Sequence, residues 1–100
     1  MNEFNVRQCL LIEATILHYM QGLIDLHALV NKLDAIRGVL SDFKWSEALF
    51  DPILDLERFN SQLIAKKREI NSDEAEKVNR ILASIQALVS QQKIADSVTS

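Results

Sequence analysis

Apolar residues recur along this chain at every third or fourth position, in four separate stretches. That period puts them on one face of an α-helix, and no stretch alternates with the period of two that a strand requires. The first stretch, about Asn5 to Gln21, carries Cys9, Ile12, Ile16, Tyr19 and Met20, with Leu23 continuing the stripe. Gly22 is placed to end it, because glycine tolerates the left-handed backbone of a helix C-terminus. The second, about Asp25 to Leu40, opens on an aspartate suited to capping and carries Leu26, Leu29, Val30, Leu33, Ile36 and Leu40.

The third helix is expected to begin at Asp51-Pro52. Aspartate can accept hydrogen bonds from free amides there, and proline is best tolerated at the first helical position. Leu49, Ile53, Leu56, Leu63, Ile64 and Ile70 share its face, and Trp45–Phe50 reads as a short helical turn of its own. The fourth opens with Asn71-Ser72-Asp73-Glu74, a capping box with asparagine in place of serine or threonine. Ala75, Val78, Leu82, Ile85 and Val89 supply its stripe.

Four amphipathic helices with short connections have one economical arrangement. The expected fold is all-α, a single-domain antiparallel bundle of about four helices over residues 1–100. Two charged residues sit close to the stripes. Glu13 projects beside Cys9, Ile16 and Met20, and Arg37 beside Leu26, Val30 and Leu33. Two readings are open: a Glu13–Arg37 pair across the first hairpin, or two side chains that run along the stripe edge to water. Asn60 falls inside the third stripe, where an amide can fix packing register.

Composition narrows the class. Two glycines and one proline in 100 residues argue for long helices and against a turn-rich sheet. A net charge of −3 lacks the basic footprint of a nucleic-acid binder, so no direct nucleic-acid partner is expected. The single cysteine, Cys9, excludes an intrachain disulfide and fits a reducing cytoplasm. The apolar run Cys9–Met20 is too short for a membrane span, and Glu13 and His18 interrupt it.

The search for chemistry is mostly negative. The chain has no Glu-x-x-His, no His-Glu-x-x-His, no cysteine pair and no glycine-rich phosphate loop. Cys9 lies on an apolar face, His18 projects opposite one, and His27 lies in the first turn of the second helix. No catalytic, cofactor-binding or metal-binding set emerges, and the chain does not read as an enzyme.

One segment stands out. SDFKWSEALFDPILDLE (Ser41–Glu57) carries five carboxylates against one lysine, and it holds the only tryptophan and proline of the chain. Glu47, Asp51 and Asp55 recur every four residues and align on one side if the helix is continuous there. Neither Glu47 nor Asp51 has a cation four residues on, and Asp42 adds a nearby charge. The structural reading is capping and dipole compensation. The functional reading is an acidic patch that steers a basic partner, with Trp45 as its anchor. Trp45 could instead plug the end of the bundle beside Phe43 and Phe50.

A small acidic helical chain with a helical hairpin, a tryptophan-bearing connection and no catalytic set resembles the immunity proteins of bacterial contact-dependent growth inhibition and related polymorphic nuclease toxin systems. The likeness lies in LIEATILHYMQGLIDLHALVNKLDAIRGVLSDFKW (Leu11–Trp45) and the acid-rich segment after it. The resemblance implies a cytoplasmic antitoxin that binds the nuclease domain of its cognate toxin and blocks its active site or nucleic-acid surface. Charge pattern alone then assigns toxin binding to Asp42, Trp45, Glu47, Asp51 and Asp55. The competing class is a self-associating or adaptor protein. Leu10, Leu11 and Leu17 broaden the apolar surface of the first helix beyond one stripe, as a homodimer contact would.

Overall fold

The computed structural model describes residues 3–40, 43–66 and 70–98. Four helices follow one another, α1 (Glu3–Met20), α2 (Leu26–Gly38), α3 (Phe43–Lys66) and α4 (Ser72–Val98), with no strand among the described residues. Each packs on two others, α1 on α2 and α4, and α3 on α2 and α4. The helices therefore form a closed ring in which α1 lies diagonal to α3 and α2 to α4. This is the antiparallel bundle that the four stripes predict.

Local chemistry sets three of the helix ends. At the end of α1, the Gly22 amide donates to the Tyr19 carbonyl at 3.0 Å and the Leu23 amide to that of His18 at 2.9 Å. This is the paired Schellman arrangement, and Gly22 supplies its left-handed residue at φ 78°. Asp25 caps α2, its Oδ1 accepting from the Ala28 amide at 2.8 Å. At α4 the capping box is reciprocal. Asn71 Oδ1 accepts from the Glu74 amide at 2.9 Å, and Glu74 Oε1 accepts from the Asn71 amide at 3.3 Å.

The start of α3 differs from expectation. It begins at Phe43, eight residues before Asp51, and Pro52 lies inside it. Asp51 is therefore not its N-cap, and Trp45–Phe50 is the helix itself rather than a separate turn. Proline removes the hydrogen bond to the Ala48 carbonyl, typically costing about 3 kcal/mol. The stripe explains why the helix continues. Trp45, Leu49, Ile53 and Leu56 are spaced by four, four and three, and all are buried. Burying such side chains stabilises by about 1.5–3 kcal/mol each, so breaking the helix at Asp51 would forfeit more than the proline costs. Ala48 is exposed, so water can reach the carbonyl that Pro52 leaves unpaired.

The core draws on every helix: Cys9, Ile12 and Ile16; Leu26, Leu29, Val30 and Leu33; the α3 stripe; and Val78, Leu82, Ile85 and Val89. Asn5, Gln8 and Thr15 of α1 are buried too, and the Thr15 hydroxyl donates to the Leu11 carbonyl at 2.7 Å. Three residues assigned to stripes are exposed instead. Met20 and Leu23 lie where α1 ends and turns, and Ile64 lies near the end of α3. His27, the second residue of α2, meets Asn60, so α3 beyond that level overhangs α2 and has fewer surfaces to bury against. With 24 and 27 residues, α3 and α4 outlast α1 and α2, at 18 and 13, and give the molecule its 47 Å length.

Glu13 and Arg37 do not pair. Glu13 Oε1 accepts from Lys93 Nζ of α4 at 2.9 Å. Arg37 stays near Asp34, Nε to Oδ1 4.0 Å, and its guanidinium lies 5.1 Å from the centre of the Phe50 ring. Ring closure accounts for the difference: α1 has two neighbours, and Glu13 faces the one distant in sequence.

Candidate interaction surfaces

Because α3 is unbroken at Pro52, Glu47, Asp51 and Asp55 lie on one continuous helix, and all three are exposed. A fourfold spacing advances about 40° per step beyond a full turn, so the three carboxylates follow a shallow spiral along one side. Asp55 is partly neutralised by Arg58, Oδ1 to Nη1 3.5 Å. Asp42 lies outside the described residues. Trp45 is only 4% exposed, which corrects its assignment as a partner anchor: an indole inside the core cannot fill a partner's pocket without unpacking its own helix. It closes the apolar stripe of α3 instead.

An open groove runs between α3 and α4 beside these acids. Asp51, Pro52 and Asp55 form one wall of its first part, opposite Ile81, Ser84 and Leu88. The next part, which shares Asp55 with the first, is bounded by Arg58, Gln62, Lys77 and Arg80 over an apolar floor of Phe59 and Ile81. Arg80 is held by Glu76, Nη2 to Oε1 2.8 Å. The groove thus changes sign along its length, from carboxylates beside Pro52 to cations beside Phe59. The sequence pattern missed this polarity, because Lys77 and Arg80 lie more than twenty residues from Asp55.

A second polar cluster joins α2 to α3. Glu57 and Asp34 share a hydrogen bond that holds the Glu57 carboxyl above its ordinary value. Burial and the charge of Asp34 push the same way, and Arg37 opposes them. Two turns nearer the start of α2, His27 Nε2 lies 3.1 Å from Asn31 Nδ2, and its Nδ1 lies 3.1 Å from Asn60 Nδ2. A neutral imidazole has one donor and one acceptor, so one amide must present its oxygen and the other its nitrogen. Asn60 therefore links α3 to α2 through His27, a partner the stripe pattern did not name.

Among the described residues, no group of three His, Cys, Asp or Glu side chains is placed to hold a metal ion. Cys9, the single cysteine of the chain, has no solvent exposure. No helix searched among them is long and apolar enough to cross a membrane. Comparison with protein-family models, characterised proteins and solved structures finds no match to this chain.

Proposed function

We propose that this protein is a non-catalytic inhibitor, an immunity protein that binds a basic bacterial nuclease toxin domain in the cytoplasm. It would occlude the toxin's active site or nucleic-acid surface with the acidic side of α3. The observation that carries this reading is the exposed alignment of Glu47, Asp51 and Asp55 on one uninterrupted helix. A nuclease attracts polyanions with basic surface, and a fixed row of carboxylates is complementary to it. Such complementarity raises association rates and selects partners more than it adds affinity. With Trp45 in the core, the apolar component of the contact falls to the groove beside the acids, at Pro52, Ile81 and Leu88.

The test is co-purification of the tagged chain with the products of the genes beside its own, followed by a nuclease assay on the stripped partner. A stoichiometric partner whose nuclease activity appears only after stripping is expected. Raising salt from about 50 to 500 mM should slow association about tenfold or more. Because Asp51 is not a cap, Glu47→Lys with Asp51→Lys reverses charge without removing a helix end. That variant should keep its melting temperature and lose protection. A folded variant that still neutralises the partner would sink the acidic-face assignment.

A further inference from the structure

Five of the large apolar residues that remain exposed, Phe4, Leu10, Leu11, Leu17 and Met20, belong to α1, at 42–59% exposure. Elsewhere such residues are scattered: Val39 follows α2, Phe50 lies under Arg37, and Ile64 is near the end of α3. At about 100° per residue, Arg7, Leu10, Ala14 and Leu17 form the outward seam of α1. Phe4 and Leu11 flank it on one side and Met20 on the other. This seam faces away from the core stripe of Cys9, Ile12 and Ile16, so α1 carries large apolar residues on both faces, with Arg7 and the exposed His18 as the polar residues described on the outward one.

We infer that the outward face of α1 is a homodimer contact, in which α1 of a second copy packs antiparallel across it about a twofold axis level with Leu10 and Leu11. The seam is self-complementary about that point. Reversal places Leu10 opposite Leu11 of the other copy, Leu17 opposite Phe4, and the long Arg7 opposite the small Ala14. Large residues meet large, and the long Arg7 crosses a small residue.

The area is that of a small interface. Five side chains near half exposure leave roughly 400–500 Å² of apolar surface, near the top of the range for the largest patch on a monomer. A standard interface takes about 800 Å² per partner, so the seam supplies about half of one, the scale of a weak dimer that forms as concentration rises. A membrane surface is the poorer occupant. Helices that lie on lipid carry lysine and arginine on their polar side, whereas α1 has Arg7 as its only such residue and the chain is net negative. Since α1 lies diagonal to α3, the dimer would leave two acidic faces outward, and the two surfaces are independent.

Light scattering and sedimentation across about 1–200 μM test this directly. The full chain should pass from 11.4 kDa to twice that mass. Leu10→Glu with Leu17→Glu should abolish the dimer and keep the helical spectrum and melting of the monomer. A monomeric chain at the highest concentration overturns the inference, as does a dimer that survives both substitutions. A monomer that instead sediments with phosphatidylglycerol vesicles through the same leucines overturns it in favour of lipid. Oxidative cross-linking reads the direction of packing. Leu10→Cys should cross-link to its own copy and Leu17→Cys should not, because only Leu10 lies near the axis; equal cross-linking of both overturns the antiparallel arrangement.

Discussion

Asp25 and Asp51 stand in similar local settings. Each precedes an apolar run at helical spacing and has a residue type suited to capping, and Asp51 has the added stop signal of Pro52. Yet Asp25 caps a helix and Asp51 sits inside one. The difference lies upstream. Before Asp25 the chain turns through Gly22 at positive φ, and no stripe crosses the turn. Before Asp51, Trp45 and Leu49 are already in phase with Ile53 and Leu56. A capping signal competes with the continuation of a buried stripe, and where the stripe runs through, burial outweighs one lost hydrogen bond and a ring clash.

Breaking the stripe should have the largest effect. Leu49→Ala removes a side chain with no solvent exposure from the turn that carries the helix into Pro52. It should cost about 2–5 kcal/mol in urea unfolding, and a loss below 1 kcal/mol would mean that the stripe does not hold α3 together. Pro52→Ala comes next and has the opposite sign. It restores the bond to the Ala48 carbonyl and should stabilise by about 1–3 kcal/mol, after some loss from a freer unfolded chain. A lower melting temperature in this variant would contradict a helix passing straight through residue 52.

The two aspartates can be compared directly. Asp25→Ala should cost about 1 kcal/mol as a lost cap, while Asp51→Ala should change stability by no more than about 0.5 kcal/mol as an exposed helical position. Equal losses would restore a helix start at Asp51.

The smallest effect tests the seam that holds α3 on α2. Glu57 has its carboxyl pKa raised, chiefly by the hydrogen bond with Asp34. A raised folded-state pKa stabilises the fold below the unfolded value and loses that contribution as pH rises through the folded one. Glu57→Gln mimics the protonated form. It should therefore match the parent at pH 4 and exceed it by a few tenths of a kcal/mol at pH 7, the screened scale of surface charge pairs. Urea midpoints at the two pH values decide it, and a variant less stable at neutral pH would reverse the sign.

Much of the fold was legible. Gly22, Asp25 and the Asn71–Glu74 box act through neighbours within five residues, so their geometry follows from local chemistry. The stripes of α2 and α4 were legible for a similar reason, since a helix brings residues three and four apart together whatever it packs on. Less of the candidate surfaces was visible. The alignment of Glu47, Asp51 and Asp55 depended on the continuity of α3. Trp45 could be read as anchor or core because tryptophan serves both, and only its packing with Leu49 on a shared face decided between them. Glu13 found Lys93, eighty residues away, rather than Arg37.

By itself the sequence determined four amphipathic helices, the turn at Gly22 and the caps of α2 and α4, an all-α bundle and an acid-rich centre, because period and capping are local properties. Only the tertiary structure decided that α3 runs through its proline, that α1 closes the ring against α4, and that Asn60 meets His27. It also decided that the outer face of α1 is left uncovered. These outcomes depend on which helices become neighbours and how far each outlasts the next, and both follow from the joint burial of four stripes in one core.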